Sequence, residues 1–437
     1  MKNIIEFNFK NMLDSNNING ISNKEIIDKK TLIEKVFNDV ILTPSKETKA
    51  YFNLVENPLD LNEIKQYADD IAMSFEAFVV LGIGGSALGA RALFAALSDT
   101  NYSRNEIFRN SRPRIFVRDT INPDKFKALL ELINIKKTMF CIITKSGKTL
   151  ETLLQAAIVI DKLKKELGNS FSKNLCIITA NESSELKEFA DKNNIKTFLF
   201  SPDLSGRFSV LSPVGLLPAA VFGADIFEII SGAHYILEKC KNSDLEENPA
   251  LYGALLQKIA IEKGRNISYL MPYTDKLKVF SDWYCQLWAE SLGKSTKNGF
   301  IGQTPVSAIG TIDQHSQMQL CLEGPLDKVV SFITVKNSSR NLIISEIEGL
   351  SITKKLKETS ILSVVLASQK ATEDALTKCG RLNQNIIIEE LNEFSIGALL
   401  IFYMLETSFL GNMLGINPYD QPAVELIKQN IKETLNL

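Results

Sequence analysis

Histidine is nearly absent: His234 and His315 are the only two in 437 residues. That scarcity excludes His-rich metal sites, so no metal is expected, and it leaves few places for a catalytic imidazole. The six cysteines, Cys141, Cys176, Cys240, Cys285, Cys321 and Cys379, form no CxxC pair, which suits a reduced, cytoplasmic protein. Nor does charge of one sign accumulate. The 49 Lys plus Arg face 51 Asp plus Glu, a formal net charge of −2, so the basic footprint of a nucleic-acid binder is missing and a small-molecule partner is expected. The charged start offers no apolar stretch long enough for a secretory signal. Two later apolar runs stop short of a membrane span: Val210 to Ala224 is short and carries Pro213 and Pro218, and Ile396 to Ile416 is interrupted by Glu406 and Asn412. Both are expected as buried core helices, with no membrane partner.

What is present is alternation. Residues 1–55 space apolar residues at three and four, notably over Lys24 to Val40, and predict a helical N-terminal segment. From Phe75 onward, apolar runs of strand length each lead through a polar or glycine-rich turn into a helical period. The units are Ala77 to Gly82 then Ser86 to Leu97, Arg114 to Arg118 then Asp124 to Ile133, Thr138 to Thr144 then Thr149 to Leu163, Leu175 to Ala180 then Ser184 to Lys192, with Lys196 to Phe200 as a last strand. A second set follows residue 220, with strands Ile267 to Met271, Val329 to Val335 and Asn385 to Ile388 and helices Lys276 to Leu292 and Phe394 to Leu414. Uniformly apolar strands joined by helices predict an α/β fold of two doubly wound, flavodoxin-like parallel-sheet domains, 56–220 and 221–437. Ligands then gather at the C-terminal ends of the strands.

Two turns carry the chemistry. Gly82-Ile83-Gly84-Gly85-Ser86-Ala87 follows an apolar strand and opens a helix, so backbone amides there would face an anion. It satisfies G-x-G-x-x-A, but the acidic residue that a dinucleotide site wants about 20 positions on is missing, since Asp119 lies too far along. It nearly satisfies G-x-S-x-G, yet position 88 is leucine and Gly89 falls one residue late, against a serine nucleophile. The second turn, Thr144-Lys145-Ser146-Gly147-Lys148-Thr149, offers three hydroxyls and two ammonium groups at a helix N-terminus. It looks like the end of a P-loop, but the glycine needed five residues earlier is Ile142. One such turn alone is as well read as strand-to-helix punctuation; two in one sheet point to one phosphate.

Those two turns resemble the sugar-phosphate loops of sugar isomerase (SIS) domains. In addition, Gly206-Arg207-Phe208-Ser209-Val210-Leu211-Ser212, Asp313-Gln314-His315-Ser316-Gln317 and Asp420-Gln421-Pro422-Ala423-Val424-Glu425 with Lys428 resemble, in order, the motifs of the glucose-6-phosphate isomerase family. The resemblance implies two SIS-type domains, no metal or cofactor, and a homodimer whose active sites borrow a residue across the interface. It implies interconversion of glucose 6-phosphate and fructose 6-phosphate, in glycolysis and gluconeogenesis, by ring opening and a cis-enediol. It assigns Glu290 as base, Arg207 as the cation at the enediolate oxygens, His315 to ring opening in the neighbouring subunit's site, and Lys428 to the ring oxygen. Gly85, Ser86, Thr144, Lys145, Ser146, Thr149, Gly206, Gln286 and Gln421 are the expected substrate-binding residues.

The spacing fits those roles. Glu290 follows Gln286 by one helical turn on a helix with Trp283, Leu287 and Trp288, and Lys428 follows Gln421 by two turns. Two positions depart from the family, Ser205 and Ala423, where glycine is usual. An isomerase that also accepts mannose 6-phosphate, or a sugar-phosphate sensor without catalysis, are the alternatives. A sensor needs no base, and the acidic and basic residues mixed through the N-terminal segment do not make a DNA-binding face.

Overall fold

The computed structural model describes residues 5–180, 183–297 and 299–436. The chain enters through a short strand, β1 (Ile5–Asn8), and several helices before strand and helix alternate. Strands β2 (Ala77–Leu81), β3 (Arg114–Arg118), β4 (Thr138–Ile143), β5 (Leu175–Thr179) and β6 (Lys196–Leu199) form a parallel sheet in the order β3-β2-β4-β5-β6. Every residue of β2, β4 and β5 is buried, as unbroken apolar runs require when helices cover both faces. From β2 the chain crosses to β3 on one side, then returns to β4 on the other. The order therefore reverses between β2 and β4, and a crevice opens at their C-terminal ends.

The second sheet holds β7 (Ile267–Pro272), β10 (Thr304–Ser307), β11 (Lys328–Val335) and β12 (Leu382–Ile388), with a separate hairpin of β8 (Lys294–Thr296) and β9 (Gly299–Ile301) between β7 and β10. Its order is β1-β12-β11-β7-β10, parallel except for β1. This corrects the expectation of a purely helical N-terminal segment: Ile5 pairs with Ile388 and Asn8 with Asn385. Four residues are too few for a strand period to stand out. Strand β10 also escapes the sequence pattern because it contains Pro305, which is tolerated on the edge that it occupies. The helix after β2 starts at Leu88 rather than Ser86, since Gly84–Ser86 forms a 3-10 turn.

A helical layer joins the sheets. Helix Glu393–Met413 is long and apolar enough to cross a membrane by length and composition, but it is buried almost throughout against Ile226–Cys240 and Pro249–Glu262. The backbones approach so closely that a Cβ at Gly397 would lie 1.9 Å from the Ile229 carbonyl oxygen, and one at Gly232 would lie 1.8 Å from that of Phe394.

Glu406 sits within this helix, fully buried. Its Oε1, the Tyr403 hydroxyl and Thr407 Oγ1 all lack hydrogen-bond partners. Burial pushes the Glu406 carboxyl up to about 8, whereas an unfolded glutamate titrates near ~4.3. Between those values the folded chain keeps a proton that the unfolded chain releases, so stability falls as pH rises. The contribution is full below the unfolded value, declines through the window and is lost above the folded one. Glu406→Gln is expected to flatten this decline, by on the order of 4 kcal/mol between about pH 5 and pH 9. Parallel melting-temperature profiles for the two proteins would show that Glu406 does not titrate in this way.

Candidate active site

Both sequence-predicted turns fall at the switch point, Gly82 to Ser86 after β2 and Thr144 to Thr149 after β4. Four helices follow strands β2 to β5 of the first sheet. Those after β3 and β5 are capped by side chains, Asn122 accepting from the Lys125 amide and Ser184 from that of Lys187. The two at the switch point, Leu88–Leu97 and Leu150–Leu167, have no side-chain cap. Thr149 occupies the capping position, but its hydroxyl is paired with that of Thr144 at 2.7 Å. Two helix N-termini thus keep their orphan amides directed at one crevice, the arrangement that binds an anion.

Local contacts hold the second loop. Lys145 accepts hydrogen bonds at its carbonyl from the Ala180 amide (3.2 Å) and the Thr179 hydroxyl (3.3 Å), and Ser146 Oγ accepts from the Lys148 amide at 3.2 Å. Gly147 is left-handed, with φ +68°. Burial lowers the pKa of the Lys145 ammonium, which also feels Asp203 and Arg207. A cation kept partly dry beside open amides attracts an anion more strongly than one in water.

The first loop abuts a third. A Cβ at Gly85 would lie 2.2 Å from the carbonyl carbon of Gly206, so glycine is required for the turn Gly206–Phe208 to pack there. Arg207 is buried from that turn. Its Nε donates to Ser291 Oγ (2.7 Å), Nη1 to Glu290 Oε2 (3.2 Å) and to Gln421 Oε1, and Nη2 to the carbonyls of Pro418 (2.7 Å) and Asp420 (3.0 Å). Burial lowers its pKa, and Glu290 opposes that shift; an arginine nonetheless stays charged. Gln286 Nε2 donates to Glu290 Oε1 at 3.0 Å, as their spacing on one helix face predicts. Trp283, Leu287 and Trp288 of the same helix are all buried and anchor it in the core. Glu290 itself stays 34% exposed, open to a ligand in the crevice.

The segment carrying Gln421 is held by Tyr419, whose hydroxyl pairs with Thr48 Oγ1 at 2.7 Å and whose ring packs edge-on against Phe208. The structure therefore gathers Gly85, Gly206, Arg207, Gln286, Glu290 and Gln421 into one constellation beside Ser86. It does not bring in the other two residues predicted to be catalytic, Lys428 and His315. Lys428 lies on helix Pro422–Leu435, which has no buried residue, and its Nζ pairs with Glu425 Oε1 at 2.5 Å. His315 is exposed and makes no side-chain hydrogen bond or ion pair among the described residues. Ser205 takes an ordinary extended conformation in place of the family's glycine, though its buried Oγ lacks a partner. Among the described residues no group of three or more His, Cys, Asp or Glu is placed to hold a metal ion.

Sequence reasoning missed Ser291 and Lys294. Lys294 Nζ donates to the Glu290 carbonyl at 3.0 Å and meets both the carbonyl and, at 2.9 Å, Oδ1 of Asp420. The one available signal was a lysine just beyond a helix C-terminus, where such residues cap carbonyls.

Compared with known families, the chain matches the phosphoglucose isomerase family over residues 63–436. It is 41% identical over 403 residues to glucose-6-phosphate isomerase of Carboxydothermus hydrogenoformans, covering 90% of this chain and 86% of that one. It is 35% identical to the enzyme of that name from Thermus thermophilus, over 86% of this chain and 88% of that one. Among solved structures, a hypothetical protein of Thermus thermophilus superposes with a TM-score of 0.89 at 31% identity, covering 99% of each chain. A glucose-6-phosphate isomerase of Chlamydia trachomatis shares the fold, with a TM-score of 0.77 at 22% identity over 94% of this chain and 84% of that one.

Proposed function

This chain belongs to the phosphoglucose isomerase family and interconverts glucose 6-phosphate and fructose 6-phosphate; we propose that Glu290 is the base of that reaction and Arg207 the cation beside its developing charge. The observation carrying this reading is the pair of uncapped helix N-termini at the switch point, which adjoins the Arg207–Glu290 pair. The substrate's phosphate sits among Ser86, Thr144, Lys145, Ser146 and Thr149, and Gly85 leaves room for the sugar beside Gly206. In the open-chain aldose, Glu290 removes the proton from C2. The electron pair of that C–H bond forms the C1–C2 double bond while the C1 carbonyl oxygen gains negative charge, which Arg207 stabilises. Transfer of the O2 proton to O1 moves the negative charge to O2, and return of the proton from Glu290 to C1 as the C2=O2 carbonyl forms gives the ketose. Gln286 and Gln421 hold the base and the guanidinium in register.

Ring opening requires acid and base at the ring oxygen and O1. We assign these to His315 of a second copy and to Lys428, in a homodimer that works in the cytoplasm, where six free cysteines stay reduced. The exposed imidazole and the exposed helix Pro422–Leu435, with Leu426 and Ile427 in solvent, suit burial against a partner.

A coupled assay with glucose 6-phosphate and fructose 6-phosphate tests both statements. The purified protein is expected to turn over each sugar, and absence of turnover ends the isomerase reading. Chains carrying Glu290→Gln and His315→Ala are each expected to be inactive alone. Mixed and reassembled in equal amounts, they should regain about a quarter of the wild-type rate, since half the dimers are hybrids and each hybrid holds one intact site. No recovery places His315 outside a shared site.

A further inference from the structure

The geometry points to a positioning residue that neither the motifs nor the roles above include: we propose that Lys294 locks the base-bearing helix to the segment that carries Gln421 and leads to Lys428. The inference rests on the assignment of Glu290 as base.

Helix Lys278–Leu292 ends two residues after Glu290, and the Gly293 amide closes its last bond, to Ala289 O at 3.0 Å. The next carbonyl, Glu290 O, is one of the orphans that every helix leaves at its C-terminus, where the dipole favours a cation. Lys294 Nζ takes it at 3.0 Å. The same ammonium reaches across to Asp420, bonding its carbonyl and pairing with Oδ1 at 2.9 Å. Its side chain is only 9% exposed, unlike that of a solvated lysine.

Asp420 O is therefore held from two sides, by Lys294 and by Arg207 Nη2 at 3.0 Å. The grip matters because the following helix has no buried residue of its own. Its placement relative to Glu290 depends on the segment 418–421, which is fixed by Tyr419, Arg207 and Lys294. Loss of Lys294 frees one end of this bridge without touching either phosphate loop. A misplacement of about 1 Å between catalytic groups can cost on the order of 10²-fold in rate.

Lys294→Met keeps the length of the side chain and removes its charge. It is expected to lower kcat by about 10- to 100-fold, with KM for fructose 6-phosphate within about twofold of wild type, and to speed amide hydrogen exchange over 418–435. Lys294→Arg should recover most of the rate. If Lys294→Met does not fold, Asp420→Asn removes the ion pair while keeping the carbonyl, and a smaller loss of kcat in the same direction is expected. Unchanged kcat together with unchanged exchange in the folded variant overturns the proposal, as does a loss confined to KM. Should Glu290→Gln retain full activity, the base assignment fails, while faster exchange over 418–435 still reports on the clamp itself.

Discussion

Glu290→Gln is expected to lower kcat by about 10²–10⁴-fold, the contribution typical of a positioned general base, and to abolish exchange of the substrate's C2 hydrogen with solvent. Glutamine keeps one carbonyl oxygen, for Gln286 Nε2 or for Arg207 Nη1, and turns an NH2 donor towards the other, so the constellation loses its proton acceptor and one hydrogen bond but keeps its size. Among the described residues the Glu290 carboxylate makes its hydrogen bonds to Gln286 and Arg207 and none to either phosphate loop, so affinity for an inhibitor held mainly by its phosphate should be nearly preserved. That split separates loss of chemistry from loss of structure. Undiminished C2 exchange in the variant would remove Glu290 from the role, whatever the steady-state rate.

Arg207→Lys tests the second group. Lysine keeps the charge, but a single ammonium cannot serve Ser291, Glu290, Gln421, Pro418 and Asp420 together as the planar fork does. Several acceptors next to the crevice then lose their donor. The expected result is a drop in kcat/KM of about 10²–10³-fold, the scale for removing a preorganised donor from developing oxyanion charge, with a stability loss of about 3 kcal/mol from the unmatched buried groups. Measuring phosphate-inhibitor binding on the same preparation shows whether the fold persists. If kcat/KM stays within about threefold of wild type, the guanidinium only ties the 418–421 segment down.

The fold was legible where burial leaves a mark. Strands β2, β4 and β5 are sealed on both faces and show up as runs of apolar residues; the exchange of strand for helix between them predicts the parallel sheet and its crevice. Both phosphate turns were legible for the same reason, because glycines and hydroxyls interrupt a pattern that is otherwise apolar. The residues of the Arg207–Glu290 constellation were not. Arg207, Glu290 and Gln421 are far apart in the chain and each, taken alone, looks like an ordinary polar residue; they were reached through motif resemblance, and only the packing of the turn Gly206–Phe208 against Gly85 brings them to the phosphate loops. Lys294 was still less visible, since its partners are mostly backbone oxygens and no sequence pattern encodes those. The missing strand β1 is a similar case: its partner β12 supplies the reason it is a strand.

That partnership also governs how the protein can be made. The first sheet is built from one continuous stretch, and all of its strand pairings lie within β2 to β6. The second sheet needs both ends of the chain. At translation rates of about 5–20 residues per second, β1 leaves the ribosome some tens of seconds before β12 exists. Until then β1 lacks its strand partner, and their pairing closes the loop from Asn8 to Asn385.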